Sequence, residues 1–137
     1  MNLDRVTSGS HLPDDFNVIV EIPMNADPIK YEVDKETGAV IRCRPLGMLK
    51  MDDEAGGDAK LLAVPVDKVL PIYKHWSKPE DLQPERLMQI QHFFEHYKDL
   101  EPGKWVKVAG WFGPEHARGE IMAGVARYQK AGRKPMF

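Results

Sequence analysis

The hydrophobic period of this chain changes from two to about 3.6 partway along, and that change limits what it can fold into. Val18, Val20 and Ile22 alternate with Ile19 and Glu21 until Pro23 stops the run. Past the turn-like Asn25-Ala26-Asp27-Pro28, Ile29, Tyr31 and Val33 fall on one strand face and Lys30, Glu32 and Asp34 on the other. Glu36-Thr37-Gly38 then reads as a hairpin turn, and Ala39 to Met51 as a long strand. Pro45 and Gly47 interrupt that strand and predict a bulge or an edge. Leu61 to Val64 and Lys104 to Gly110 are further short strands. The helical spacing comes later. Pro84 opens a stripe of Leu87, Ile90, Phe93, Phe94, Tyr97 and Leu100, which Pro102-Gly103 ends. Pro114 opens a second, with Ala117, Ile121, Val125 and Tyr128, before a frayed tail from Ala131 to Phe137. Strands first and helices last predict an α+β domain, a small β-barrel carrying two helices.

Between two of the strands lies Met51-Asp52-Asp53-Glu54-Ala55-Gly56-Gly57-Asp58-Ala59-Lys60. It sets four carboxylates about a Gly-Gly turn and closes on a lysine. Clustered hard oxygens suit Mg²⁺, and a lysine beside them can hold an anion. Taken alone, such a stretch reads more readily as a solvated turn. Spacing excludes an EF-hand, since the twelfth position from Asp52 is Ala63 where a bidentate Glu is required.

Composition narrows the class. A length of 137 residues fits one domain, 1–137, and the apolar share of 42% is ordinary for a globular protein. A net charge of −2 argues against a general nucleic-acid or anionic-membrane binder. Cys43 is the only cysteine, so no internal disulfide can form and a reducing compartment is expected. No apolar run reaches the roughly 20 residues of a membrane helix, and no signal peptide is evident, so a soluble cytoplasmic protein is expected.

Four blocks, taken in order, resemble the bacterial-type soluble (family I) inorganic pyrophosphatases. They are Val20-Glu21-Ile22-Pro23, then Lys30 through Gly38, the acidic stretch through Lys60, and His92-Phe93-Phe94-Glu95-His96-Tyr97-Lys98-Asp99-Leu100 leading into Gly103-Lys104-Trp105. The similarity covers the chain from Leu12 to Lys130. It implies an OB-like β-barrel with flanking helices, Mg²⁺ as cofactor, hydrolysis of pyrophosphate to two phosphates, and a homo-oligomer, hexameric in the family. One departure stands out. Family members carry a further stretch between the equivalents of Val40 and Ile41, with an Asp-Gly-Asp-Pro-x-Asp signature, an arginine and two tyrosines. Here Val40 runs directly into Ile41, and no Asp-Gly-Asp occurs anywhere. Three readings stay open: hydrolysis by the residues that remain, an inactive relative that binds phosphate or metal or joins an oligomer, and an incomplete sequence of a normal enzyme. With the central block absent, the barrel is expected to be incomplete. Either strand edges are left unpaired, or the Val40-Ile41 junction yields one longer continuous strand.

Carried over residue by residue, the resemblance makes Asp53 and Asp58 metal ligands and Lys60 a phosphate contact. Lys30 becomes a phosphate ligand and Glu32 an outer metal ligand. For Lys30 and Glu32, both on one strand face, the bland reading is a weak solvated pair. Glu21 interrupts an apolar strand, where an unpaired carboxylate is costly, and the family has an acid there at the edge of the site. Tyr97 and Lys98 would bind the departing phosphate. Read from the residues alone, Tyr97 belongs to the apolar stripe and Lys98 is a favourable charge near a helix C-terminus. Glu54 reads as a solvated or outer neighbour and Asp52 as surface. No residue is assigned to the catalytic step, because the aspartates used for it belong to the absent block. His92 and His96 share one helix face without a third ligand, which favours an interface role, as do the subunit contacts the family makes nearby. Trp105 and Trp111 read as core or rim, and Cys43 as a plain strand residue. An OB-like barrel also suits single-stranded nucleic acid, but that use needs a basic, aromatic groove and the cavity here is acidic.

Overall fold

The structure, a computed structural model, describes residues 6–20 and 39–131. The strand expected over Ile29 to Val33, the Glu36-Thr37-Gly38 turn, and the candidate residues Glu21, Lys30 and Glu32 lie outside them. Among the described residues the order is β1 (Phe16–Val20), β2 (Ala39–Asp53), β3 (Gly56–Pro65), α1 (Pro84–His96), β4 (Val106–Phe112) and α2 (Pro114–Ala131). Single 3-10 turns at Pro71–Tyr73 and Pro79–Asp81 lie between β3 and α1.

Strand β2 is the spine. All its neighbours are antiparallel: β3 runs along one edge, while β1 and β4 share the other. The fold class is α+β as expected, and among the described residues the four strands form an open sheet rather than a closed barrel. The Val40-Ile41 junction lies inside β2, with Val40 opposite Ile19 and Ile41 opposite Val18. β-Branched apolar residues on both strands make the ladder across it well suited to pleated pairing. A continuous strand through the junction is therefore the outcome realised.

The bulge expected at Pro45 and Gly47 is present. Pairing with β3 jumps from Pro45–Ala63 to Gly47–Leu62, which leaves Leu46 without an opposite residue. Leu46 turns inward, fully buried, onto Val64 and Leu82, with Leu62, Tyr73, Trp76 and Leu87 packed around them. Burying a leucine in this way contributes about 1.5–3 kcal/mol. Gly47 is needed beside it, because a Cβ there would lie closer than 3.0 Å to the Phe112 carbonyl oxygen and to Pro79 Cγ. The Arg44 guanidinium ties the intervening loop to the spine, donating to the carbonyls of Trp76 (2.6 Å) and Tyr73 (2.7 Å).

Two boundaries differ most from expectation, while β4 starts and ends two residues later than expected and β2 ends two residues later. β3 begins at Gly56 rather than Leu61, so the acidic stretch is a tight hairpin whose turn is Glu54-Ala55, not Gly56-Gly57. The helix α1 stops at His96, and the chain leaves through hydrogen-bonded turns from Asp99 N–H to the His96 carbonyl and from Glu101 N–H to the Lys98 carbonyl. Leu100 consequently projects into solvent instead of joining the apolar stripe. Of the tryptophans, Trp105 is half exposed, and Trp111 has its indole N–H without an acceptor among the described residues.

Candidate active site

The hairpin sorts its charges by face. Met51 pairs with Asp58, Leu49 with Lys60 and Asp53 with Gly56, so Asp53, Asp58 and Lys60 stand on one face over the buried Leu49 and Met51. Lys50 and Asp52 point the other way. There they line a cavity of about 310 Å³ with Glu120 and Arg127 of α2, and Asp52 stays exposed as expected. The helix α1 covers the first face: the Phe94 ring sits 5.5 Å from Lys60 Nζ and meets Tyr97 edge-on at 5.6 Å.

Lys98, just past the end of α1, reaches back to the hairpin tip. Its ammonium donates to Asp53 Oδ2 at 2.6 Å and to the Glu54 carboxylate at 3.2 and 3.3 Å. The side chains of Lys98 and Asp53 retain only 8% and 10% of their exposure. The other Asp53 oxygen, Oδ1, accepts the Ala55 N–H at 2.8 Å and so locks the turn. Lys60 in turn grips both oxygens of Asp58, at 2.9 and 2.8 Å.

The titration behaviour follows from these contacts. The hydrogen bond from Lys98, with the Ala55 N–H second, holds Asp53 below the usual carboxylate range. Glu54 is also lowered, chiefly by its own backbone N–H and then by Lys98. Lys98 is raised above the usual lysine range, first by Asp53 and then by Glu54, against the penalty of burial. In geometry, Asp53 and Asp58 each stand against an ammonium group, Lys98 at 2.6 Å and Lys60 at 2.8 Å.

Of the residues singled out in the sequence, Asp53, Asp58, Lys60, Tyr97 and Lys98 converge here. Two partners escaped it. Glu54 looks like an outward neighbour of Asp53 if β2 is extended, but it stands in the turn, which frees it from strand alternation. Phe94 carries no signal beyond its place in the helical stripe. His92 and His96 stack at 4.2 Å on the exposed side of α1, and no group of three metal-ligating side chains occurs among the described residues.

A family profile described as inorganic pyrophosphatase matches residues 36–129. The inorganic pyrophosphatase of Ralstonia nicotianae is 44% identical over 175 residues, covering 95% of this chain and 100% of the relative. That alignment is longer than the 137 residues present here, so the relative contains a stretch without a counterpart in this chain. The inorganic pyrophosphatase of Escherichia coli K12 is 44% identical over 172 residues, covering 93% of this chain and 98% of the relative. Among solved structures, the inorganic pyrophosphatase of Coxiella burnetii superposes with a TM-score of 0.78 at 37% identity, over 90% of this chain and 99% of that one. The enzyme from Thermus thermophilus does so at 0.78 and 28%, over 94% and 99%. The profile match over residues 36–129 and the 44% identity across nearly the whole chain establish that the chain belongs to the inorganic pyrophosphatase family.

Proposed function

We propose that this chain hydrolyses inorganic pyrophosphate to two phosphates with the aid of Mg²⁺. The observation that carries the proposal is the convergence of Asp53, Asp58, Lys60 and Lys98 at one end of the sheet, in a chain 44% identical to proteins named inorganic pyrophosphatase. Carboxylates alone would repel a diphosphate, and lysines alone would not retain a cation. Both are needed for a substrate that arrives with its metal.

The donor set fits that metal in one particular way. Mg²⁺ commonly takes one or two protein carboxylates and completes its shell with water and substrate oxygens. Asp53 and Asp58 supply two on a shared face, and no third joins them among the described residues. They would hold a cation shared with the diphosphate. A bound Mg²⁺ supplies charge neutralisation on the phosphate oxygens and acidifies a water. Lys60 and Lys98 neutralise the departing phosphate as point charges, and the Tyr97 hydroxyl orients it. Lys30, Glu32 and Glu21 complete the assignment by resemblance, as phosphate ligand, outer metal ligand and acid at the edge of the site.

The rest of the assignment extends in the same sense. The whole chain forms one domain, whose internal block is absent between Val40 and Ile41; the longer relatives and the uninterrupted β2 support this. Exposed Met88, Phe93 and Leu100 support assembly into a homo-oligomer, and the buried unpaired Cys43 suits the cytoplasm. No helix among the described residues is long and apolar enough to cross a membrane.

The test is ³¹P NMR of pyrophosphate with the mass-verified chain. Conversion to orthophosphate that starts on adding Mg²⁺ and stops with EDTA is expected. A folded chain that leaves the pyrophosphate resonance unchanged would make it an inactive relative.

A further inference from the structure

Past the hairpin lies a second cavity, of about 500 Å³, a size within the roughly 300–1,000 Å³ usual for small-ligand pockets. Its floor is aliphatic. Leu62 and Val64 extend the row of Asp58 and Lys60 along one face of β3, so the cavity begins about 7 Å beyond Lys60. Tyr73 and Trp76 form a wall, their ring centroids 4.8 Å apart and their planes tilted by 49°. That wall is fixed in advance, because Arg44 holds the backbone carbonyls of both residues. A preformed pocket loses less freedom when a ligand enters.

Arg86 and Asp81 complete the lining, and no ion pair joins them. The Arg86 guanidinium has no acidic partner among the described residues, and its one hydrogen bond is a long one to Gln89 Oε1, 3.4 Å. Asp81 spends a single oxygen on the protein. Its Oδ2 accepts the backbone N–H groups of Ser77 (2.6 Å) and Lys78 (3.0 Å) and the Ser77 hydroxyl (3.3 Å), while Oδ1 accepts from none of the described residues. The Ser77 N–H, with that of Lys78 second, holds the carboxyl below its usual range, so it is ionised at neutral pH.

These groups discriminate among ligands. A wholly apolar guest would shield the guanidinium and the carboxylate from water and pair neither. A phosphate dianion would meet Asp81, and a simple cation would meet Arg86. The planar fork of an arginine matches a carboxylate with two parallel hydrogen bonds, and a flat ring packs edge-on or offset against aromatic walls. We propose that this cavity binds a free aromatic α-amino acid, with its ring against Tyr73 and Trp76, its carboxylate on Arg86 and its ammonium on Asp81. The proposal stands on the cavity alone and is independent of the reading of the hairpin cluster.

Calorimetric titration of L-phenylalanine into the full chain is the test, and saturable binding below the millimolar range is expected. Phenethylamine, which lacks the carboxylate, and 3-phenylpropionate, which lacks the ammonium, should each bind at least about ten-fold more weakly, as loss of a charge-assisted hydrogen bond implies. L-Alanine, without the ring, should not bind at the same concentrations. Arg86→Met, at an exposed position, should weaken L-phenylalanine about ten-fold and leave phenethylamine unchanged, a split that misfolding would not produce. Asp81→Asn should show the reverse, with 3-phenylpropionate unchanged; if loss of its cap unfolds the chain, Arg86→Met carries the test. Saturating inorganic phosphate should not displace L-phenylalanine, since neither Lys60 nor Lys98 lines this cavity. No saturation by L-phenylalanine below the millimolar range would overturn the proposal. So would equal affinity for phenethylamine, an Arg86→Met chain that binds like its parent, or displacement by phosphate.

Discussion

At Gly47 the strands β2 and β4 and the Pro79 turn approach closely, so exchanging glycines on the β2–β3 hairpin tests the packing beneath the site. A Cβ at Gly47 meets the Phe112 carbonyl and Pro79 closer than 3.0 Å, whereas ordinary contact begins at 3.4 Å. Both neighbours belong to backbone or to a stiff ring, so relief requires β4 or the Pro79 turn to shift. Forced overpacking of this kind costs about 1–3 kcal/mol. Gly56 fails differently. It has open space around it but sits at φ +118, where an L side chain is strained by about 1–3 kcal/mol. Gly57 meets only Asp52 Oδ1, at 3.8 Å, and its alanine variant should stay within about 0.5 kcal/mol of the parent. For a domain of this size each kcal/mol moves the Tm by roughly 3–5 °C. Thermal and urea unfolding of Gly47→Ala, Gly56→Ala and Gly57→Ala should therefore show two losses of several degrees and one near-neutral change. If Gly47→Ala melted with the parent, the close approach of β2, β4 and the Pro79 turn would be wrong, and with it the register that brings Asp53 and Asp58 to one face.

Two further outcomes follow from the site. Asp53 is depressed by Lys98, so its contribution to stability is present above its unfolded value of about 3.9 and is lost as pH falls through its lower folded value; Lys98 is raised, so its share is present below about 10.4 and is lost only as pH climbs through its higher folded value. Without metal, the Tm gap between the native chain and Asp53→Asn should be flat from about pH 5 to 9 and close only beyond those limits; a gap that changes inside that window would contradict the pairing. Phe94→Leu should raise the KM for pyrophosphate by about two- to five-fold with little change in kcat, as loss of one exposed cation–π contact implies, and Phe94→Tyr should restore it.

Local chemistry was readable where single residues punctuate the chain. Pro45 and Gly47 announced the bulge, Pro84 and Pro114 the helix starts, and the run from Val18 to Val20 its strand. The type and spacing of Asp53, Asp58 and Lys60 announced a charged face. What neutralises Asp53 was not readable, because Lys98 meets it across 45 residues and only the end of α1 sets its reach. The hairpin turn was misplaced for a related reason. Gly56-Gly57 has the composition of a turn, but Asp53 Oδ1 caps the Ala55 N–H and draws the reversal two residues earlier. Leu100 shows the limit of periodicity: the helical spacing continues through it, while the helix has already ended.

The steady-state rate of phosphate release measures whether the residues left in this chain suffice for pyrophosphate hydrolysis. With Mg²⁺ and pyrophosphate, the folded 137-residue chain should turn over, and Asp58→Asn should abolish most of that rate while keeping the native Tm within a few degrees. A native chain that binds Mg²⁺ and phosphate yet releases no phosphate from pyrophosphate would contradict hydrolysis by these residues, and so would an Asp58→Asn chain as fast as its parent.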